Sequence, residues 1–225
     1  MIKKLLLILL AVAVLGVAGW YFSPKRGSAL VPEIKLPENL STASKIEEKP
    51  PVEEIVKKDN KEVLRAMAAE IISRPVMVSA PLAEIDRKRA EAKIKEISDL
   101  IRSDYDTIYA WYDLGAYRRV IGDYSGAAEA WAFGALIRPK DYIGYHNLGD
   151  LYGFYIKDYP KSEENYLKSI QNNPQNIQAY LDLATIYESV YKEKSNQTES
   201  ILLQGLMANP DNLRLKSALE DYISK

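Results

Sequence analysis

Trp111-x-x-Leu114-Gly115 returns as Tyr145-x-x-Leu148-Gly149 and again as Tyr180-x-x-Leu183-Ala184. A proline follows each copy about thirty residues later, at Pro139, Pro174 and Pro210. Self-similarity at such a period marks supersecondary units that cannot bury their apolar faces alone and do so by stacking on one another. The second half of the chain is therefore expected to be all-α, a stack of helix-turn-helix units. Any function has to be written on the surface of that stack.

Composition narrows the functions further. The two ends of the 225-residue chain differ too much in character for one globule. Thirty Lys and Arg are interspersed with 31 Asp and Glu, so no basic face recommends nucleic acid. The absence of cysteine excludes disulfides, thiolate metal sites and a cysteine nucleophile. His146 is the only histidine, which excludes multi-histidine metal sites and leaves a histidine triad one candidate. No P-loop, G-x-G-x-x-G or G-x-S-x-G motif occurs. Asp113, Asp123, Asp141, Asp150 and Asp158 do not follow the spacing of a calcium loop. The expectation is a protein that is not an enzyme and has no cofactor and no metal.

The N-terminus points to a membrane. Met1-Ile2-Lys3-Lys4 precedes an uncharged apolar run from Leu5 to Phe22. As a helix at ~1.5 Å per residue the run spans about 27 Å, close to the hydrocarbon thickness of a bilayer. Trp20, Tyr21 and Phe22 cluster at its far end, where amphipathic rings favour the headgroup region, and Pro24 stops the helix. A cleaved signal peptide is the competing reading, because Val17-Ala18-Gly19 offers small residues before a cut. Length and the aromatic cluster favour the retained anchor. The short N-terminal tail favours a single-pass arrangement with the repeats on the extracytoplasmic side, although lysines before the span and Lys25-Arg26 after it nearly balance.

Beyond the anchor, Pro24, Pro32, Pro37, Pro50 and Pro51 alternate with Glu and Lys and almost no aromatic residue. Such a segment cannot bury enough surface to offset the ordering of its backbone, and reads as a disordered linker. Apolar residues at helical spacing then predict a helix from Asn60 to Ser73. A second helix is predicted from about Leu82 to Ser103, with Ile94, Ile97, Leu100 and Ile101 on one stripe. Together they cap the open end of the stack.

The segment from Ile108 to Asn212 resembles three tetratricopeptide repeats, whose signature is W-x2-L-G-x2-Y, then A-x3-F, then P. The middle copy shows Tyr145, Leu148, Gly149 and Tyr152, then Tyr159, Ser162, Tyr166, Ser169 and Pro174. The first has Trp111, Leu114, Gly115, Ala127, Trp131, Gly134 and Pro139; the third has Tyr180, Leu183, Ala184, Tyr187, Thr198, Leu202, Gly205 and Pro210. Arg118 stands where the signature has tyrosine. The prolines are 35 and then 36 residues apart, which places extra residues in the turns near Ile156-Lys157-Asp158 and Lys192-Glu193-Lys194.

The resemblance implies a right-handed superhelical stack in which the first helix of each pair lines a concave groove. Groove positions then fall on Tyr109, Tyr112, Ala116 and Arg119, on Ile143, His146, Asp150 and Gly153, and on Gln178, Leu181, Thr185 and Glu188. The family's carboxylate clamp is not expected, because Tyr112 and Ala116 occupy the places of its first lysine and asparagine. The expected organisation is an anchor at 1–22, a linker at 23–58, capping helices at 59–107, repeats at 108–141, 142–176 and 177–212, and a closing helix at 213–225. That layout suits a membrane-tethered adaptor for a protein or peptide partner, with a place in envelope assembly or secretion. A secreted soluble repeat protein and a self-associating homo-oligomer are the alternatives.

Overall fold

The computed structural model describes residues 52–225, with side chains from Asn60 onward; the expected anchor at 1–22 and most of the linker lie outside the described residues. Among the described residues there are nine α-helices and no strand. Helices α1 (Val52–Ser73) and α2 (Glu84–Ser103) precede three pairs. These are α3 (Ile108–Val120) with α4 (Tyr124–Ile137), α5 (Ile143–Asp150) with α6 (Tyr159–Asn172), and α7 (Ile177–Ser189) with α8 (Thr198–Ala208); α9 (Leu213–Ile223) closes the series. Each helix packs against the next in chain order, as stacked units require. None of these helices is long and apolar enough to cross a membrane.

Helix α1 begins at Val52, inside the segment read as linker up to residue 58, because neither proline nor glycine occurs between Pro51 and Pro75 to break it. On α2 the buried stripe is Ala90, Ile94, Ile97 and Ile101, while Leu100, expected on that stripe, faces solvent. Asp123, Asp158 and Asn212 cap α4, α6 and α9 by accepting the amides of Gly126, Lys161 and Leu215. The three repeat prolines lie just past α4, α6 and α8, where a ring on nitrogen forbids another helical turn. Successive turns are also tied together. Asn172 donates to the Pro139 carbonyl at 3.0 Å, and Asn209 repeats the bond one period later with Pro174 at 3.1 Å.

Within each pair, small residues admit a ring. A Cβ on Gly115 would fall 2.3 Å from the Trp131 indole, and one on Gly149 would fall 2.8 Å from the Tyr166 ring. Ser162, in the position of the signature alanine, donates its hydroxyl to the Gly149 carbonyl at 2.8 Å and is itself wholly buried. Trp131 completes the first pair by donating its indole N–H to the Tyr112 carbonyl at 3.0 Å.

The extra residues in the second and third units are absorbed differently from the simple turn extensions expected. After α5 the chain continues as a wide π-helical turn, Leu151–Ile156, closed by Lys157 in the left-handed region at φ 65°. After α7 the slack is taken up by a 3₁₀ segment, Lys192–Gln197.

Arg118 is fully buried and replaces the signature tyrosine with an ionic network. Its guanidinium donates to Asp123 at 2.5 Å and to the Arg74 carbonyl at 3.2 Å, so it fastens the end of α1 to the first repeat. Arg74 in turn reaches Asp123 at 3.6 Å and Glu129 at 2.5 Å. Removing one member of a buried pair strands the other without water, at a cost of about 3–5 kcal/mol. Asp123→Ala, which also removes the cap of α4, is expected to lower the stability of residues 52–225 by at least that amount in urea denaturation. An unchanged midpoint would show that Arg118 finds other partners.

Candidate functional site

Helices α3, α5 and α7 each turn one face inward, carrying Trp111 and Leu114, Leu148 and Gly149, and Tyr180 and Leu183, all buried. The next positions around each helix are the predicted groove residues, and the structure distributes them unevenly. Tyr109 is 70% exposed, and Gln178 and Thr185 are also exposed. Arg119 is half-buried, its guanidinium 5.3 Å from the Tyr155 ring centroid and 5.9 Å from that of Trp131. Ile143 and Leu181 are half-buried and pack against the core.

Tyr112 departs from the expectation of a groove-facing anchor. Only 6% of it is exposed, and it packs with Ala127, Trp131, Leu148 and Leu151 between the first and second units. The ring fits there because Gly134 leaves room, with a would-be Cβ 3.0 Å away. Burial, with the Asp141 carboxylate adding to it, holds the Tyr112 phenol above its usual range.

His146 and Asp150 sit one turn apart on α5, and the packing of α7 brings Asp182 to them. The Nε2 atom of His146 lies 3.8 Å from Asp150 Oδ1 and 3.6 Å from Asp182 Oδ2. Each group is held from behind. The Asn176 amide is 3.3 Å from His146 Nδ1, the Tyr166 hydroxyl donates to Asp150 Oδ1 at 2.5 Å, and Gln178 donates to Asp182 Oδ1 at 2.7 Å. The Tyr166 ring also meets the imidazole edge-on at 5.7 Å.

Sequence reasoning named His146, Asp150 and Gln178 but missed Asp182. The signal was present in the repeat register: Asp182 stands two residues past Tyr180, as Asn147 stands two past Tyr145. Only the packing of one unit on the next shows that this side chain meets His146.

Burial raises Asp182 above its ordinary value of 3.8, with the neighbouring Asp150 charge acting in the same direction and the Gln178 hydrogen bond opposing. Burial likewise pushes the Tyr166 phenol well up, reinforced by Asp150. The folded state therefore binds the Asp182 proton more tightly than the unfolded chain. Ionising Asp182 costs native stability as pH rises through its folded-state range, and the cost is absent below 3.8, where both states are protonated. In chelator-containing buffer, Asp182→Asn is expected to melt above the parent protein at neutral pH, the gap closing as pH falls below 3.8. A gap that widened on acidification would reverse the assignment.

No family model matches the sequence, and no curated protein matches it. Among solved structures, the chain is similar to the crystal structure of MamA, with a TM-score of 0.50 and 17% identity over 64% of this chain and 85% of that one. It is also similar to the Arabidopsis OM64 TPR domain, with a TM-score of 0.42 and 15% identity over 51% of this chain and 93% of that one. At these identities a likeness speaks of fold. With three helix pairs interlocked at the signature positions, the chain has a tetratricopeptide-like repeat fold.

Proposed function

We propose that this protein is a scaffold that captures a protein or peptide partner along α3, α5 and α7. The observation that carries the reading is the division of labour on those helices. Their apolar faces are spent on the stack, while Tyr109, Arg119, His146, Asp150, Gln178 and Thr185 remain wholly or partly open on three successive units. A tyrosine, a guanidinium, carboxylates and amides on rigid helices suit a peptide or loop, with Tyr109 and Arg119 as the anchors. The apolar run from Leu5 to Phe22 tethers the scaffold to a membrane, and the segment behind it holds the repeats off the bilayer on the extracytoplasmic side. In that position the protein serves envelope assembly or secretion. N-terminal sequencing of the mature chain separates this reading from a soluble form released by cleavage.

Self-association is a second reading, supported by one feature of the C-terminal end. Met207, Leu213 and Ile223 are 68%, 77% and 52% exposed on α8 and α9. Light scattering at rising concentration separates it from the scaffold reading, which holds for a monomer.

Tyr112 is unsuited to a groove test, since truncating a buried aromatic costs about 3–5 kcal/mol and unfolding would mimic lost binding. The double variant Tyr109→Ala with Thr185→Arg changes exposed positions only. It is expected to abolish capture of crosslinked partners from native membranes while keeping the melting temperature of the parent. Undiminished capture would remove the groove assignment. For orientation, protease added to cells stripped of their outer barrier should digest the repeats; complete protection would place them on the other side.

A further inference from the structure

We propose that His146, Asp150 and Asp182 form a binding site for a zinc-type divalent cation, which bridges the second repeat to the third. The site stands whether or not the groove captures a partner.

The donor geometry comes first. One imidazole nitrogen and one oxygen from each carboxylate all lie within 4.8 Å of one another. In a tetrahedral site with bonds of about 2.0–2.1 Å, neighbouring ligand atoms stand about 3.3–3.4 Å apart. The two imidazole–carboxylate separations of 3.6 and 3.8 Å need a contraction of only a few tenths of an ångström, and the carboxylate–carboxylate edge, within 4.8 Å, closes by rotation of the side chains. Those separations also exceed a hydrogen bond, so the imidazole is not satisfied by either carboxylate.

The surroundings orient each donor as ligands are oriented. Gln178 holds Oδ1 of Asp182, which leaves Oδ2 turned toward the imidazole. Arg214 fixes Gln178 in turn, donating to its carbonyl oxygen at 2.8 Å. The Tyr166 hydroxyl steadies Asp150. Asn176 lies on the far ring nitrogen of His146 and also contacts the Ser169 hydroxyl at 3.3 Å. Exchanging the amide oxygen and nitrogen of Asn176 lets Nδ1–H donate to the oxygen, with the serine hydroxyl donating as well, and frees Nε2 for the metal. Such outer partners fix ligand orientation and tautomer in metal sites.

Charge supplies the driving force. Among the described residues neither Asp150 nor Asp182 forms an ion pair with lysine or arginine; the basic side chain within pairing distance of them is the His146 imidazole. Two half-buried carboxylates converging on one imidazole nitrogen are stabilised by a divalent ion that all three ligate. The donor set decides which. Nitrogen with carboxylate oxygen suits zinc and its neighbours in the first transition row, whereas calcium requires six or more oxygens. With side chains 16–25% exposed, the ion can enter from the groove and keep a fourth position for water or a partner's donor.

The test uses the full chain, stripped with chelator and then titrated with Zn²⁺ alone. Calorimetry should show one equivalent bound, undisturbed by excess Mg²⁺. Because His146 is the only histidine, nitrogen-selective NMR of the imidazole reads the site without assignment, and Nε2 should move far more than Nδ1. His146→Gln and Asp182→Asn should each weaken zinc affinity roughly tenfold or more, on the scale set by losing even an outer partner. Absence of zinc uptake, an unmoved imidazole, or uptake equal in the parent and both variants overturns the proposal. The imidazole measurement needs no variant, so loss of folding in a mutant cannot blur the result.

Discussion

The stack depends on one contact made repeatedly: an aromatic ring lying directly on the backbone of the facing helix. Trp131 rests where a Cβ of Gly115 would be, Tyr166 rests on Gly149, and Tyr180 approaches Gly205 to 3.0 Å of a would-be Cβ. The ring can move from one helix of the pair to the other, as the third unit shows, provided the opposite residue is glycine. Dense packing follows, and so does a constraint on the rings' polar ends, which must find partners once water is gone. Trp131 meets its constraint at the Tyr112 carbonyl, and Tyr166 meets its own at Asp150. The second bond matters most for function. A residue chosen to fill the space within a pair delivers its hydroxyl to the groove side and positions a carboxylate there.

Much of this was legible in the chain. The periods, the glycines and the prolines mark out the three repeat units, because those features act locally. The start of α1 carries no such mark and lies eight residues before the expected Asn60. Groove exposure was less legible, since it depends on what the neighbouring unit brings. Tyr112 and His146 occupy the same repeat position, one residue past Trp111 and Tyr145. Gly134 opens a slot that swallows Tyr112, while His146 stays half-buried beside Asp182. Asp182 itself escaped notice because 36 residues separate it from His146, and nothing in local pattern links two units so far apart.

Arg118 was legible only as a departure. Its guanidinium needs a carboxylate in the turn within its own pair and a carbonyl just past α1, 44 residues earlier, and the second of these has no sequence signature. A tyrosine at the same point would contribute area without choosing a neighbour. The buried arginine demands a particular one, which sets α1 and α2 apart from the repeats as the cap for this end. Such specificity is bought with desolvation, so the network is worth more as a selector than as a source of stability.

The wide turn at Leu151–Ile156 shows how an uneven repeat length becomes an asset. One added residue in a regular helix would rotate everything beyond it by about 100° and scramble the face presented to the next unit. Here the slack is confined between α5 and Lys157, so the helices on either side keep their registers. The swollen turn also carries Tyr155 to 5.3 Å from Tyr124 and 5.3 Å from the Arg119 guanidinium, both belonging to the first unit. The extra length thus acts as a strut between neighbours, and the length of a repeat becomes a variable through which such arrays acquire individual contacts.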